Sequence, residues 1–500
     1  MSTSPNDWRK LLSGSVVRGE ESQLSDALAE NTGYAFAQWL ARSFGTTSDK
    51  IKLAVGHDPR HSGPRLKDAL IRGMKAADSD VLDCGLCTTP AMHMVCLDPR
   101  TRAHGAIMIT ASHHPASRNG FKFITRDGEL TADELRDVIE AAMAAELPDP
   151  LVREVDFLSI YTESLREMVR KRMDDDSLRP LLGLHVVVDA GNGSGGFYAR
   201  FLSELGVDIE GSFSLEPDGD FPNHTPDFQD ASALENLSRA VLENRADLGV
   251  IFDADCDRAA IVDQSGKAIS RNRLIALIAA ILLDEHPGAT FVTDSVTSSG
   301  LKKFITEWGG THYRYKRGYR NVIDEAVRLN EEGIDCPLAI ETSGHAAFRE
   351  NYFLDDGMYL VTRLICETLR RKRDGLTLSS LIDELQEPVE SIELRLPILE
   401  EDYRAAGQEV IETILSHTLD NPGWALAPDN REGVRINLNL DGGVNNAWFL
   451  LRLSVHDPVM ALNAESDVPG GVQRMLSGLY ALIEDCEVLD LSALKAAAGA

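Results

Sequence analysis

The chain has 500 residues, of which 43% are apolar and 26% charged, and a formal net charge of -29. At roughly 100–200 residues per domain, that length calls for several cores rather than one. The acidic balance excludes general affinity for nucleic acid or an anionic membrane, which needs a basic face, yet it permits an anionic small substrate in a local basic pocket.

From the N-terminus, residues 1–26 read as polar and irregular, with Gly14-Ser15-Val16-Val17-Arg18-Gly19 standing out. A helix is predicted over 27–44. Strands at 51–55 and 81–84 then alternate with helices at 63–77 and 90–96, followed by a buried strand at 106–109. That strand runs out into Thr110-Ala111-Ser112-His113-His114-Pro115. Pro115 and Asn119-Gly120 mark a loop, and a short strand at 121–124 carries Lys122. Thr131 and Glu134 form a capping box that opens a helix reaching 145. Leu147-Pro148-Asp149-Pro150 reads as a linker.

Beyond it come a helix ending near 173, a strand at 185–188, a helix at 197–205, a strand at 207–210 and a helix at 234–244. A strand at 248–252 is followed, past a loop, by its continuation at 259–262. A third series comprises a helix at 272–285, strands at 290–293, 311–315 and 338–340, helices from 299 and from 321, and a closing helix at 358–370. After Glu387-Pro388 the character changes, with strands at 392–396, 433–438 and 448–454 and helices at 401–416 and 471–484. The β-α-β alternation predicts three similar α/β units with parallel or mixed sheets and a smaller C-terminal α+β domain. The boundaries fall at 1–150, 151–270, 271–388 and 389–500.

Seven scattered cysteines suit a reducing compartment. Cys84-Gly85-Leu86-Cys87 has redox spacing but lacks the helix start of a thioredoxin motif and the second ligand pair of a zinc site. The first residues hold no apolar signal segment, and the longest apolar run, 274–283, is half a membrane span. The expected location is the cytoplasm.

Chemistry concentrates at strand exits. Ser112, flanked by His113 and His114, is mounted as a nucleophile would be, although a Ser/His-rich surface turn has the same composition. Asp253-Ala254-Asp255-Cys256-Asp257-Arg258 joins two strands, and its alternate carboxylates can converge on one hard cation. A calcium EF-hand does not fit, because Arg258 stands at its sixth position and Gln264 at its twelfth. Glu341-Thr342-Ser343-Gly344-His345 follows an apolar strand and suits recognition of sugar hydroxyls. Tyr315-Lys316-Arg317-Gly318-Tyr319-Arg320 is a dense basic cluster within an acidic chain. Arg452-Leu453-Ser454-Val455-His456-Asp457-Pro458 could grip phosphate through paired N–H donors. Gly191-Asn192-Gly193-Ser194-Gly195-Gly196 formally fits a dinucleotide fingerprint, but it lies mid-chain and nothing else calls for a nicotinamide.

In this order, the serine, aspartate, Glu341–His345 and Arg452–Pro458 loops resemble those of the α-D-phosphohexomutase family, the phosphoglucomutases and phosphomannomutases. Val17-Arg18-Gly19, the run from Gly56 to Gly63, Asp189 to Gly193 and Asp218 to His224 add to the likeness. The resemblance implies four domains around a central cleft and an isomerase that interconverts hexose 1-phosphate and hexose 6-phosphate through phosphorylated Ser112 and a hexose 1,6-bisphosphate. It implies one Mg²⁺ per chain, held by Ser112, Asp253, Asp255 and Asp257, with the bisphosphate as activator. Arg18 and Arg258 would stabilise the transferring phosphoryl, and either Lys122 or His113 would act as acid and base. Glu341, Ser343 and His345 would bind the sugar. Arg452, Ser454 and His456, helped by Lys316, would hold the phosphate that does not react. A monomer or a homodimer is expected.

The chain departs from the family pattern in three places. His114 stands where the family usually has Asn in the phosphoserine loop, a mild change. Val455 and His456 replace a small polar residue and a threonine, and Arg317 and Tyr319 stand in a run that usually reads small residue-Gly-His. Glucose, mannose or glucosamine phosphate could be the substrate. A phosphoserine-dependent sugar phosphatase and a non-catalytic sugar-phosphate sensor are the readings from other classes.

Overall fold

The computed structural model describes residues 5–145, 147, 153–418, 423–454 and 457–500. Most of the predicted linker, together with Val455 and His456, lies outside these described residues. The chain divides into two compact units. One contains Met1–Ser270 and Gly344–Ser380, the other Arg271–Ser343 and Leu381–Ala500.

In the first unit, Lys52–His57 lies parallel to both Asp80–Leu86 and Gly105–Ile109. Every residue of Gly105–Ile109 is buried, as befits a strand covered on both faces. Two helices, Asp26–Ser43 and Gly63–Ala76, pack against each other and share the core around Phe36, Leu70 and Phe123. Ser25 starts the first of them by accepting the Leu28 N–H at 3.1 Å. Thr131 and Glu134 form the predicted capping box.

Two expectations for this region need correction. Val16–Glu20 is a strand, and Asn119-Gly120 lies within the strand Arg118–Thr125 rather than in a loop. The two strands pair antiparallel, with Arg18 opposite Gly120. Each is extended because the other is there, and that non-local pairing overrides the local turn signal.

A second sheet places Val186–Asp189 parallel to Leu248–Phe252. Ala259–Asp263 folds back antiparallel on Leu248–Phe252, so it forms a hairpin and does not continue the strand. The predicted strand at 207–210 is reduced to a single bridge between His185 and Asp208. The short hairpin Ala346–Phe348 with Leu354–Asp355 and the helix Gly357–Arg373 complete this unit.

In the second unit, Thr290–Thr293 lies between Thr311–Arg314 and Leu338–Ile340, all parallel. The helix Arg271–Glu285 is buried from Leu274 to Leu283. An antiparallel sheet follows, in the order Glu390–Pro397, Val459–Ser466, Ala447–Leu453, Val434–Leu438 and Trp424–Leu426. Val459–Ser466 and Trp424–Leu426 were not expected. Ala461, Asn463 and Ala464 have weak strand preference, and pairing with neighbours on both sides recruits them. The helices Tyr403–Thr418 and Gly471–Ile483 share a core with this sheet. Among the described residues, no helix is long and apolar enough to cross a membrane.

Candidate active site

Ser112 is 4% exposed and stands at φ 53°, in the left-handed region that non-glycine residues seldom adopt. Such a conformation costs about 1–3 kcal/mol and persists where the surroundings over-determine it. Here they do. The Ser112 N–H donates to Thr110 Oγ1 at 2.8 Å, and Thr110 donates in turn to Asp58 Oδ2 at 2.8 Å. The Ser112 carbonyl accepts from Arg60 Nη2 at 2.6 Å. Arg60 is wholly buried; it also donates to Asp58 Oδ2 and to the carbonyls of His114, Pro115 and Arg118. All five of its N–H donors are thereby used.

The Ser112 hydroxyl faces the acidic loop. It donates to Asp253 Oδ2 at 3.2 Å and accepts from Arg258 Nη2. Arg258 also donates to His113 Nδ1 at 2.7 Å, which occupies the ring lone pair. Burial first, then the charges of Arg258, His114 and Arg18, bring His113 down to about 2. Burial with Arg18 and Arg118 brings His114 to about 3. Both rings are therefore neutral at physiological pH.

Asp253, Asp255 and Asp257 are buried, and their carboxylate oxygens lie within 4.8 Å of one another. Burial and the neighbouring Asp257 and Asp255 push Asp253 far above the usual carboxylate range, against the pull of Arg258. Asp257 goes the other way: Lys122, His345 and Arg258 overcome its burial and hold it low. Lys122 donates to Asp257 Oδ2 at 2.5 Å and to Asp255 Oδ2 at 3.0 Å. Thr89 donates to Asp255 Oδ2 at 2.6 Å. Asp255 Oδ1 and Asp257 Oδ1 are buried with no hydrogen-bond partner among the described residues. Converging hard oxygens with unfilled lone pairs fit a small divalent cation.

His345 joins this cluster. It is hydrogen-bonded to Asp355 and, with Asp257, completes a second group of close ligand atoms. Asp355 and Asp257 outweigh its burial and raise it to about 9, so it is charged at neutral pH. The sequence grouped His345 with Glu341 and Ser343; in the fold its ring is hydrogen-bonded to Asp355 and lies beside Asp257, and its backbone bridges to Arg258.

The other recognition residues lie in the second unit. Glu341 Oε1 accepts the Gly318 N–H at 2.6 Å, and Ser343 donates to Glu341 Oε2 at 2.9 Å. Thr342 donates to Asp294 Oδ2 at 2.6 Å. Arg452 is 5% exposed, Ser454 is partly buried, and Lys316 points to solvent.

Sequence reasoning assigned no role to Asp58, Arg60, Thr89, Asp355 or Glu432. Only the run Gly56 to Gly63 hinted at the first two, because a buried Asp-x-Arg pair cannot be told from a surface pair without the fold. The glycine run 191–196 has a different function from dinucleotide binding. A Cβ on Gly193 would come within 2.8 Å of the Ala254 backbone, and one on Gly196 within 1.7 Å of the Leu215 carbonyl. Gly193 lets the chain pass close to the acidic loop, and Gly196 lets it pass close to Leu215. Cys84 and Cys87 are buried thiols pushed up by burial, Cys87 to about 12, which makes them unreactive.

The family profiles for phosphoglucomutase/phosphomannomutase α/β/α domains I, II and III match residues 10–149, 159–266 and 270–389. A phosphomannomutase/phosphoglucomutase of Pseudomonas syringae pv. tomato is 29% identical over 494 residues, covering 96% of this chain and 97% of that protein. A phosphoglucomutase of Neisseria gonorrhoeae is 30% identical over 442 residues, with 87% and 88% covered. The crystal structure of a phosphoglucomutase/phosphomannomutase family protein from Burkholderia thailandensis superposes with a TM-score of 0.79 at 26% identity, over 95% of this chain and 97% of that one.

Proposed function

The chain belongs to the phosphoglucomutase/phosphomannomutase family of phosphohexomutases, and from that premise we propose how its own residues carry the intramolecular phosphoryl transfer of such an isomerase. Ser112 is the phosphoryl carrier. The observation that carries this is its hydroxyl, strained into place and held between the Arg258 guanidinium and Asp253. Phosphoserine 112 gives its phosphoryl group to the free hydroxyl of a hexose phosphate. The P–Oγ bond breaks as the sugar O–P bond forms, and a hexose 1,6-bisphosphate results. Return of the other phosphate to Ser112 completes the isomerisation. Added bisphosphate would phosphorylate idle Ser112 and so act as activator.

Phosphoryl transfer leaves the protein chiefly positioning and charge stabilisation to supply. Arg258 brings positive charge to the Ser112 oxygen, and Arg18, whose charge is felt at the neighbouring His113, is assigned to the same phosphoryl group. The sugar hydroxyl must lose a proton and Ser112 must regain one. We assign that proton to Lys122, because the His113 lone pair is committed to Arg258. One Mg²⁺ held by Asp253, Asp255, Asp257 and a phosphoserine oxygen would neutralise charge on the transferring group. Glu341 and Ser343 are assigned to sugar hydroxyls, and Arg452 and Ser454 to the phosphate that does not react. His456 keeps its assignment to that phosphate from the sequence alone. Glucose and mannose phosphates are the first substrates to try, glucosamine phosphate the third.

The test is incubation with glucose 1-phosphate, Mg²⁺ and a trace of glucose 1,6-bisphosphate, repeated with mannose and glucosamine 1-phosphates. Formation of the 6-phosphate, lost in Ser112→Ala while the circular dichroism spectrum is unchanged, is the expected result. Release of inorganic phosphate instead would make the protein a phosphatase, and no turnover of any sugar would make it a sensor.

A further inference from the structure

Glu432 occupies the middle of the basic cluster in the second unit. Its Oε2 accepts from Ser295 Oγ at 2.5 Å and from the Arg317 backbone N–H at 3.1 Å, and it lies 4.0 Å from Arg452 Nε. The neighbouring acids also have neutral donors. Glu341 has Gly318 N–H and the Ser343 hydroxyl, and Asp294 has Thr342.

The cations differ in this respect. Arg452 is almost fully buried, and its Nε has no hydrogen-bond partner among the described residues. Among the described residues its one side-chain hydrogen bond, from Nη1, goes to the Leu453 carbonyl at 3.2 Å. The Arg317 guanidinium is partly buried and donates no hydrogen bond among the described residues. The two groups are close enough to feel each other: Arg317, after burial, helps to lower Arg452, while Asp294, Glu341, Glu393 and Glu432 outweigh burial at Arg317 and raise it. Glu432 therefore sits between the Arg317 backbone N–H and the Arg452 side chain, its acceptor oxygen satisfied, while Arg452 Nε is a buried donor left over. Buried donors without acceptors are costly, and a tetrahedral oxyanion with several acceptor oxygens is the ligand that fills them.

We propose that Arg317 is a phosphate-binding residue, sharing one phosphate with Arg452, while Glu432 holds the two guanidiniums apart. This rests on the reading of Arg452 as the grip on the non-reacting phosphate. It gives that role to Arg317 in place of Lys316, whose side chain points to solvent. The alternative is that Arg317 only offsets the charge of Glu341.

The experiment is a double-mutant cycle on the full chain in a Ser112→Ala background, with inorganic phosphate titrated calorimetrically into the parent, Arg317→Gln, Arg452→Gln and the pair. Each single change should weaken phosphate binding by about tenfold or more, and the pair should be little worse than either, because one anion is shared. Arg317→Lys, which keeps the charge and loses the planar fork, should fall between parent and Arg317→Gln. If Arg317→Gln stays within about twofold of the parent, or the two losses multiply, the shared site is overturned. In the Ser112 protein, Arg317→Gln should raise KM for glucose 1-phosphate and leave kcat within about threefold; an unchanged KM also overturns it. If wild type turns over no hexose phosphate, the mutase reading falls, and the phosphate titration still decides the arginine pair.

Discussion

Arg60 reaches Asp58 and four backbone carbonyls, three of them between Ser112 and Pro115. With Thr110 it fixes the Ser112 peptide from both sides. A lysine cannot reproduce that fork, so Arg60→Lys should lower kcat by about 10²-fold through misplacement of Ser112, with KM little changed. Equal kcat in mutant and wild type would show that the loop holds itself. Arg60→Ala should be worse for the fold. It leaves Asp58 buried without its charge partner, at a cost of about 3–5 kcal/mol.

A second residue-scale prediction concerns pH. His224 is buried against Asp189 at 3.0 Å; burial alone would lower its pKa, but the Asp189 contact prevails and raises it. Folding therefore favours the charged ring. The stabilisation is complete below the unfolded value of about 6.5 and fades as pH rises through the higher folded value. In urea melts, His224→Gln should cost more stability at about pH 5.5 than at about pH 8.5. A cost that does not change with pH would mean the pair contributes no charge interaction.

At the scale of elements, helix propensity and packing make opposite predictions for Gly73, inside the helix Gly63–Ala76. Propensity alone would have Gly73→Ala stabilise by about 1 kcal/mol. Yet an added Cβ would lie 1.7 Å from the Glu30 carbonyl oxygen, and one on Gly33 would lie 2.3 Å from that of Leu70. The two helices cross through these glycines, and backbone cannot yield as a side chain can. Gly73→Ala should therefore destabilise by about 1–3 kcal/mol, read as a lower Tm. A raised Tm would mean that the helices separate at little cost. Most elements were legible because their signals are local: a capping box at Thr131 and an apolar run for Gly105–Ile109. Val16–Glu20 was missed because its reason for being extended lies about a hundred residues away in Arg118–Thr125.

For the whole molecule, the unfilled oxygens of Asp255 and Asp257 predict that a divalent cation binds the folded chain and not the unfolded one. Chelation with EDTA should stop turnover without unfolding, and Mg²⁺ should restore it. Mg²⁺ at about a hundred times its Kd should add about 2.7 kcal/mol of stability, and this gain in Tm should vanish in Asp255→Asn with Asp257→Asn. An equal gain in that variant would place the cation elsewhere.

The sequence by itself determined the order of α/β units, the change of character after Pro388, and the chemistry of each loop: a serine at a strand exit, three alternating aspartates, a basic cluster. Those properties belong to residues within a few positions of one another. Tertiary structure decided which loops meet and which side chains have partners. Ser112 and Asp253 are 141 positions apart, Ser112 and Arg60 are 52 apart, and Arg317 and Glu432 are 115 apart. A buried charge takes its value from the groups that replace water around it, and only the folded chain brings those groups together. The sequence offered His113 and Lys122 alike as the base beside Ser112; only the fold shows that the neutral His113 ring accepts a hydrogen bond from Arg258.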